Sequence, residues 1–472
     1  MPGRSTKGSP LVPLAPCTRM TVALGASAST YQATRSTPSL ERKLTVLTGR
    51  SRGGGSTSLR NAASRAKGPR PTPRTGTATI STRRTTASRR IRHPSSRAAR
   101  RSALSFIYLA SHGDDSMAPS YDQSAKIHAF RWQAVASRAL ESPFYADLAS
   151  CLADDIEAGG ALAGMVEGFS QDPKEALLPL RVLGALHRAV LDDLDPLLAA
   201  HWPSGGGPGD AAAACPRGLA VLGEHPDLLA DYLDRAVQTN EVQRAAVLAP
   251  ALLAATALTG RPLALYEIGA SAGLNLAWDA YRYDWGWRRW GRDGAPVALA
   301  AEWTGRQPAL PDGVEIIARA GCDPHPIDLA DRAARQRLLS YVWPDQAARI
   351  ARLRQAIDAA LASPAPSLTA ARAIDWLPRQ LAARPKGVTA IVYHSYVWPY
   401  IAAAEQEALT RLIAAQGAMA DAVSPLGWLR MELAPDGAAC DLRLTLWPGG
   451  EERMLGRCHA HGNWLIWSGD QP

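Results

Sequence analysis

The residues best suited to chemistry lie in one short segment, Tyr266-Glu-Ile-Gly269-Ala-Ser271-Ala-Gly273-Leu-Asn275-Leu276. An apolar run leads into it, small residues fill its middle and a helical pattern follows, which predicts a strand, a tight turn and a helix. Glycine lets a ligand approach the backbone, and a helix start offers unbonded N–H donors. A dinucleotide-binding turn would need glycine at 269, 271 and 274, and only Gly269 complies. A serine hydrolase would use Gly269-Ala-Ser271-Ala-Gly273 as its nucleophile elbow, with Asp375 and then His461 or His394 completing a triad. That elbow ordinarily follows several strands, whereas residues 120–260 carry a helical pattern.

S-adenosylmethionine binding asks for an acid followed by glycines at the end of the first strand. Glu267 and the turn Gly269–Gly273 fit, with Ser271 where the middle glycine would be. The cofactor carries sulfonium and ammonium charge, which suits the Glu267 carboxylate. On this reading Gly269, Ser271, Gly273 and Asn275 line the cofactor. The order of elements resembles the class I methyltransferase fold, whose second strand ends in an acid on the ribose hydroxyls; the resemblance implies Asp323 in Gly321-Cys-Asp-Pro-His325 for that role, with Glu302 as the alternative. Asp375 would sit near the adenine, or else cap a helix over 376–383. His394 follows a buried strand, where parallel sheets bind ligands. It would act as a general base at neutral pH, the alternative being a histidine hydrogen-bonded to the sheet edge. An Asn/Asp-Pro-Pro-aromatic box is absent from the segment after that strand, which counts against an exocyclic amine of a base as substrate.

Three further groups have bland readings beside functional ones. Asn240, Glu241 and Arg244 form either a pocket-lining knot on one helix face or a capping network. His459 and His461 alternate on an expected strand, and with no third ligand no metal site is expected. Trp285, Trp287 and Trp290 beside Arg288 and Arg289 cover a substrate or pack the core.

Positioning these groups requires an ordered set of elements. Apolar residues at helical spacing, such as Tyr145, Leu148, Leu152 and Ile156, mark residues 117–260 as an all-helical domain. Its last helix is expected from about Gln238 to Leu258, with Gly260 as C-cap. From 261 to 472 strands and helices alternate, which implies a parallel sheet covered on both faces. Strands are expected over 263–268, 296–303, 314–320, 387–393 and 427–433, with a short run near 367–375 and a closing pair over 442–447 and 457–467. Helices are expected over 274–283, over 328–362 with a break at Pro344, and over 401–416. Pro448-Gly-Gly450 is the turn signal for an antiparallel pair.

That order, with the glycine turn on the first strand and an antiparallel pair at the end, resembles the class I methyltransferase (Rossmann-like) fold. The chain from Met117 onward also resembles a bacterial family of uncharacterised proteins, a domain of unknown function. The resemblance rests on Gln238-Thr-Asn-Glu-Val242, Glu267-Ile-Gly-Ala-Ser-Ala-Gly-Leu-Asn-Leu276, Tyr341-Val-Trp-Pro-Asp-Gln346, His394-Ser395 with Val397-Trp398 and Tyr400, and Trp447-Pro-Gly-Gly450. It implies kinship and no particular reaction. The leading expectation is S-adenosylmethionine-dependent methyl transfer to a small-molecule substrate. The alternatives are a non-catalytic ligand-binding protein on the same fold and a serine hydrolase using Ser271.

Charge divides the 472 residues unevenly. Residues 1–116 hold 21 Lys and Arg against three acids, whereas all fourteen Trp lie after position 116 and the remainder is net acidic. The basic stretch is rich in Ser, Thr, Gly and Pro, and is expected to be a disordered extension ahead of a true start at Met117. The rest is not expected to bind nucleic acid. With no run of about 18 apolar residues a membrane span is not expected. Six scattered cysteines without a C-x-x-C pair argue against a disulfide framework or a zinc site, which makes a cytoplasmic location the expectation.

Overall fold

The computed structural model describes residues 121–469; the expectations for the basic extension and for a start at Met117 lie outside them. The first half is helical: α1 Gln123–Ala139, α2 Pro143–Glu157, α3 Ala161–Met165, α4 Leu178–Leu191, α5 Pro196–Ala199, α6 Ala211–Glu224 and α7 Pro226–Leu233. Local chemistry sets their starts. Asp122 and Asp210 accept the N–H groups of Ala125 and Ala213 at 2.9 and 3.1 Å, and α2 begins on Pro143. Phe130, Leu148, Leu152, Leu183, Leu186 and Trp202 form the core of this half. A disulfide joins Cys151 on α2 to Cys215 on α6, correcting the expectation drawn from cysteine spacing. Helix packing brings the two Cα atoms to 6.4 Å although 64 residues separate them in the chain, a proximity that spacing alone does not carry.

Helix α8, Ala245–Thr259, ends on Gly260 in the left-handed conformation, as expected. Its start differs: a 3-10 turn Val242–Arg244 precedes it, so Asn240 and Glu241 sit in the lead-in loop and share no helix face with Arg244. The stretch Val242–Thr259 is long and apolar enough to cross a membrane by length and composition alone, contrary to expectation, but most of it is buried. It packs against the sheet with Leu263, Leu265, Leu429 and Leu442.

The strands are β1 Leu263–Ile268, β2 Arg282–Asp284, β3 Arg289–Trp290, β4 Ala298–Ala300, β5 Glu302–Gly305, β6 Ile316–Asp323, β7 Ser367–Ala370, β8 Thr389–Ser395, β9 Leu426–Leu433, β10 Cys440–Trp447, β11 Glu451–Cys458 and β12 Trp464–Trp467. Nine form a mostly parallel mixed sheet in the order β5-β12-β11-β10-β9-β8-β1-β6-β7, and β3-β2-β4 form a small second sheet. Every residue of β1 and β8 is buried, as a strand covered on both faces must be. One face is covered by α8 together with α9 Arg332–Ser340 and α10 Ala347–Leu361. The other is covered by α11 Ala373–Ala382 and α12 Ala403–Ala418 through Trp376, Leu381, Leu409 and Ile413. The result is a mixed α/β fold.

Several expected boundaries move. Leu274–Ala280 is a 3-10 helix, not the start of an α-helix to 283. Tyr281, Tyr283 and Trp285 are buried at alternate positions, and that two-residue period makes Arg282–Asp284 a strand. The run 296–303 divides between two sheets. The closing pair is a meander of β10, β11 and β12, because Gly462 turns the chain where a Cβ would lie 2.2 Å from the Gln243 carbonyl oxygen. The break at Pro344 holds: Tyr341 packs into the helical core and Asp345 accepts from Ser142 Oγ and the Phe144 N–H, bolting the helical half to α9 and α10.

Candidate functional site

From β1 the chain passes to β6 and β7 on one side, then returns to β8 and β9 on the other. The direction reverses between β1 and β8, and a crevice at the carboxyl ends of such strands is where open α/β sheets bind ligands. The glycine turn leaves β1 at that point. Gly269, Ser271 and Gly273 all have positive φ (71°, 51° and 72°). A Cβ on Gly269 would lie 2.4 Å from Val397 Cγ2, so only glycine allows this approach of the two walls.

The N–H groups of the turn are largely bonded within the protein. Gly269 and Ala270 donate to the Cys322 carbonyl at 2.9 and 3.0 Å, Gly273 to Ala270 at 2.7 Å, and Leu274 to Asn240 Oδ1 at 3.1 Å. Ser271 donates to Asp323 Oδ2 at 3.0 Å, while Asp323 Oδ1 accepts from the His325 N–H and the Gln238 side chain. A phosphate would find few donors here. Two buried oxygens of the turn, Ser271 Oγ and Asn275 Oδ1, have no hydrogen-bond partner.

Glu267, next to the end of β1, is buried, and Tyr393 donates its hydroxyl to Oε2 at 3.2 Å. Burial pushes its carboxyl up to about 8, only partly offset by the Tyr393 hydrogen bond and the charge of Arg244. It therefore carries a proton at neutral pH and becomes a good anion only beside a cation. Arg244 also acts on a second buried acid, Glu241, the centre of an ionic knot. Glu241 accepts from Arg349 at 2.6 Å with Arg352 at 3.8 Å. Burial alone would raise Glu241, but Arg349, His461, Arg244 and Arg352 outweigh it and hold the carboxyl at about 2. Arg244 donates to the Ser395 and Ala460 carbonyls and lies over the Tyr396 ring.

His394 is fully buried in β8. Its Nε2 accepts from Trp428 Nε1 at 3.1 Å, and indole nitrogen only donates, so the imidazole proton sits on Nδ1. That proton is donated to Glu432 Oε1 at 2.6 Å, and the ring stacks on Trp398. The imidazole is neutral, with both nitrogens engaged.

The other candidates lie elsewhere. Glu302 is exposed on β5, at the far edge of the sheet from the turn. Asp375 is exposed in the first turn of α11, because β7 stops at Ala370 and the helix begins at Ala373, with Arg372 as N-cap. No imidazole bonds Ser271 Oγ, and Ser271, Asp375 and His461 are not hydrogen-bonded to one another. His459 and His461 occupy the turn between β11 and β12 instead of a strand, with His459 Nδ1 accepting the His461 N–H. Trp285 and Trp290 are core residues whose indoles donate to the carbonyls of Ala246 and Pro311.

Two residues of this region carried no sequence signal. Arg349 lies on an amphipathic helix, and Glu432 ends a strand among other charged positions, so both read as surface charges.

No curated protein and no solved structure matches the chain. Residues 127–467, which contain every element from α2 to β12, match the family described as uncharacterized protein conserved in bacteria (DUF2332), and the chain belongs to that family.

Proposed function

We propose that the crevice between β1 and β8 binds S-adenosylmethionine and that the protein transfers its methyl group to a small molecule. The carrying observation is Glu267: a buried carboxyl, raised to about 8, directly before a turn with three positive-φ residues at the reversal of strand order. A sulfonium or ammonium beside it would return the carboxyl to its charged form. The order β7-β6-β1-β8-β9 is that of the parallel strands of a Rossmann-like sheet, which supports the same reading.

The residues present fit the cofactor. Ser271 Oγ and Asn275 Oδ1 are buried acceptors without partners at the turn. Asp323 keeps Oδ2 on Ser271, while a ribose hydroxyl can replace the half-buried Gln238 amide on Oδ1. Glu302 and Asp375 have no part in this reading. When bound, the cofactor supplies an electrophilic methyl group; the chain's own work is to bind it, orient it and exclude water.

Titration calorimetry of the full chain with S-adenosylmethionine and S-adenosylhomocysteine tests the proposal. Binding in the micromolar range, about −8 kcal/mol, is expected, weakened at least tenfold by Glu267→Gln. No binding up to millimolar ligand overturns it. Binding without turnover over a panel of acceptors would favour a ligand-binding protein on this fold.

A further inference from the structure

Glu432 lies near the end of β9, beside the crevice but on the opposite face of the sheet from Glu267. Strand alternation shows this: Tyr393 packs into the core under α8, and His394, one residue on, reaches Trp428 in the core under α11 and α12. Glu432 Oε1 accepts from His394 Nδ1 at 2.6 Å and from the Val397 N–H at 3.1 Å. Oε2 is buried and has no partner.

Both donors to Glu432 are neutral. The Trp428 indole fixes His394 as the Nδ1–H tautomer, so no proton is left over to make it a cation. Among the described residues no Arg or Lys pairs with this carboxylate. Two neutral hydrogen bonds to Oε1 offset only part of the desolvation of a carboxylate that is 15% exposed, whose Oε2 is unbonded and whose charge no Arg or Lys pairs. Trp398 stacks on His394, and Tyr400, a few residues along, is 69% exposed. Burial raises the phenols of both Tyr396 and Tyr400, and the Glu432 charge adds a smaller push to each against the opposing charge of Arg244.

We infer that Glu432 Oε2, on the face of the sheet that carries Trp398 and close to Tyr400, binds the ammonium group of a small aliphatic amine. The carboxylate supplies the missing charge pairing and the ring faces attract the same cation. His394 is a positioning residue that holds the Glu432 carboxylate. The site's role as the acceptor side of the crevice rests on the cofactor reading above; its role as an ammonium site does not.

The test uses the full chain and two probes, methylammonium and ethanolamine, with sodium chloride at equal ionic strength and neutral ethylene glycol as controls. Saturable thermal stabilisation by both amines and by neither control is expected. Glu432→Gln, which keeps an acceptor for His394 and Val397, should weaken that binding at least tenfold while leaving S-adenosylhomocysteine affinity within twofold. Tyr400→Ala, at an exposed position that folding tolerates, should weaken amine binding several-fold. No saturable amine response, or one unchanged in both variants, overturns the inference. Amine binding that depends on Glu432 without any S-adenosylhomocysteine binding would leave the ammonium site standing and remove the cofactor reading.

Discussion

Gly269 and Val397 touch across the crevice: the glycine Cα faces the valine so closely that an added Cβ would lie 2.4 Å from Cγ2. One residue starts the turn after β1 and the other follows the end of β8, so this contact sets the spacing of the two walls at the reversal of strand order. Glu267 lies on one side of it and Glu432 on the other. Asp323 braces the same turn from β6 through the Ser271 N–H.

Gly269→Ala should destabilise the protein by about 2–4 kcal/mol, combining the cost of positive φ with overpacking. With Val397→Ala in the background the clash is gone, and the same change should cost only about 1–2 kcal/mol. Urea denaturation of the four proteins measures the coupling. Additive losses would mean that the contact is absent.

Glu267 titrates at about 8 when folded against an ordinary 4.5. Between those values the folded protein holds a proton that the unfolded chain has released. Its contribution to stability is therefore complete below 4.5 and declines as pH rises through about 8. Glu267→Gln cannot ionise, so its stability should gain on wild type steadily across that window. A pH-independent offset would refute the assignment. Binding of a cationic ligand at pH 7 should release up to about one proton, read from calorimetry in buffers of different ionisation enthalpy.

Glu241 shows the opposite sign. Its carboxyl, held at about 2, contributes stability that is present above 4.5 and lost as pH falls toward 2. Glu241→Gln leaves Arg349 and Arg352 without their shared counter-ion and should cost about 3 kcal/mol at neutral pH. A loss below about 1 kcal/mol in chemical denaturation would show that solvent already neutralises the knot.

The three acids considered for the ribose and adenine should behave unequally. Asp323→Asn weakens the charge-assisted bonds to Ser271 and His325 and should cost about 1.5–3 kcal/mol. Glu302→Ala and Asp375→Ala, both at exposed positions, should stay within about 0.5 kcal/mol and leave S-adenosylhomocysteine affinity within twofold. Equal effects from all three would contradict the geometry.

Local pattern carried much of this protein. Helical spacing marked the first half, the break at Pro344 separated α9 from α10, and Gly260 capped α8, because each depends on residues a few positions apart. The strand–turn beginning at Glu267 was legible for the same reason: an apolar run and glycine chemistry are local. Helix against strand was harder at 274–283, where aromatic residues satisfy either period until the small sheet buries them at alternate positions. What tertiary structure alone decided is which distant groups meet. Asp323 reaches Ser271 across 52 positions and Arg349 reaches Glu241 across 108, whereas Asp375 and Glu302, plausible by order along the chain, end on an exposed helix turn and a far sheet edge. The Nδ1–H tautomer of His394, which aims its proton at Glu432, follows from one indole N–H on a neighbouring strand. Spacing along the chain fixes which groups share an element; the order and register of strands fix which charges are left to find a partner.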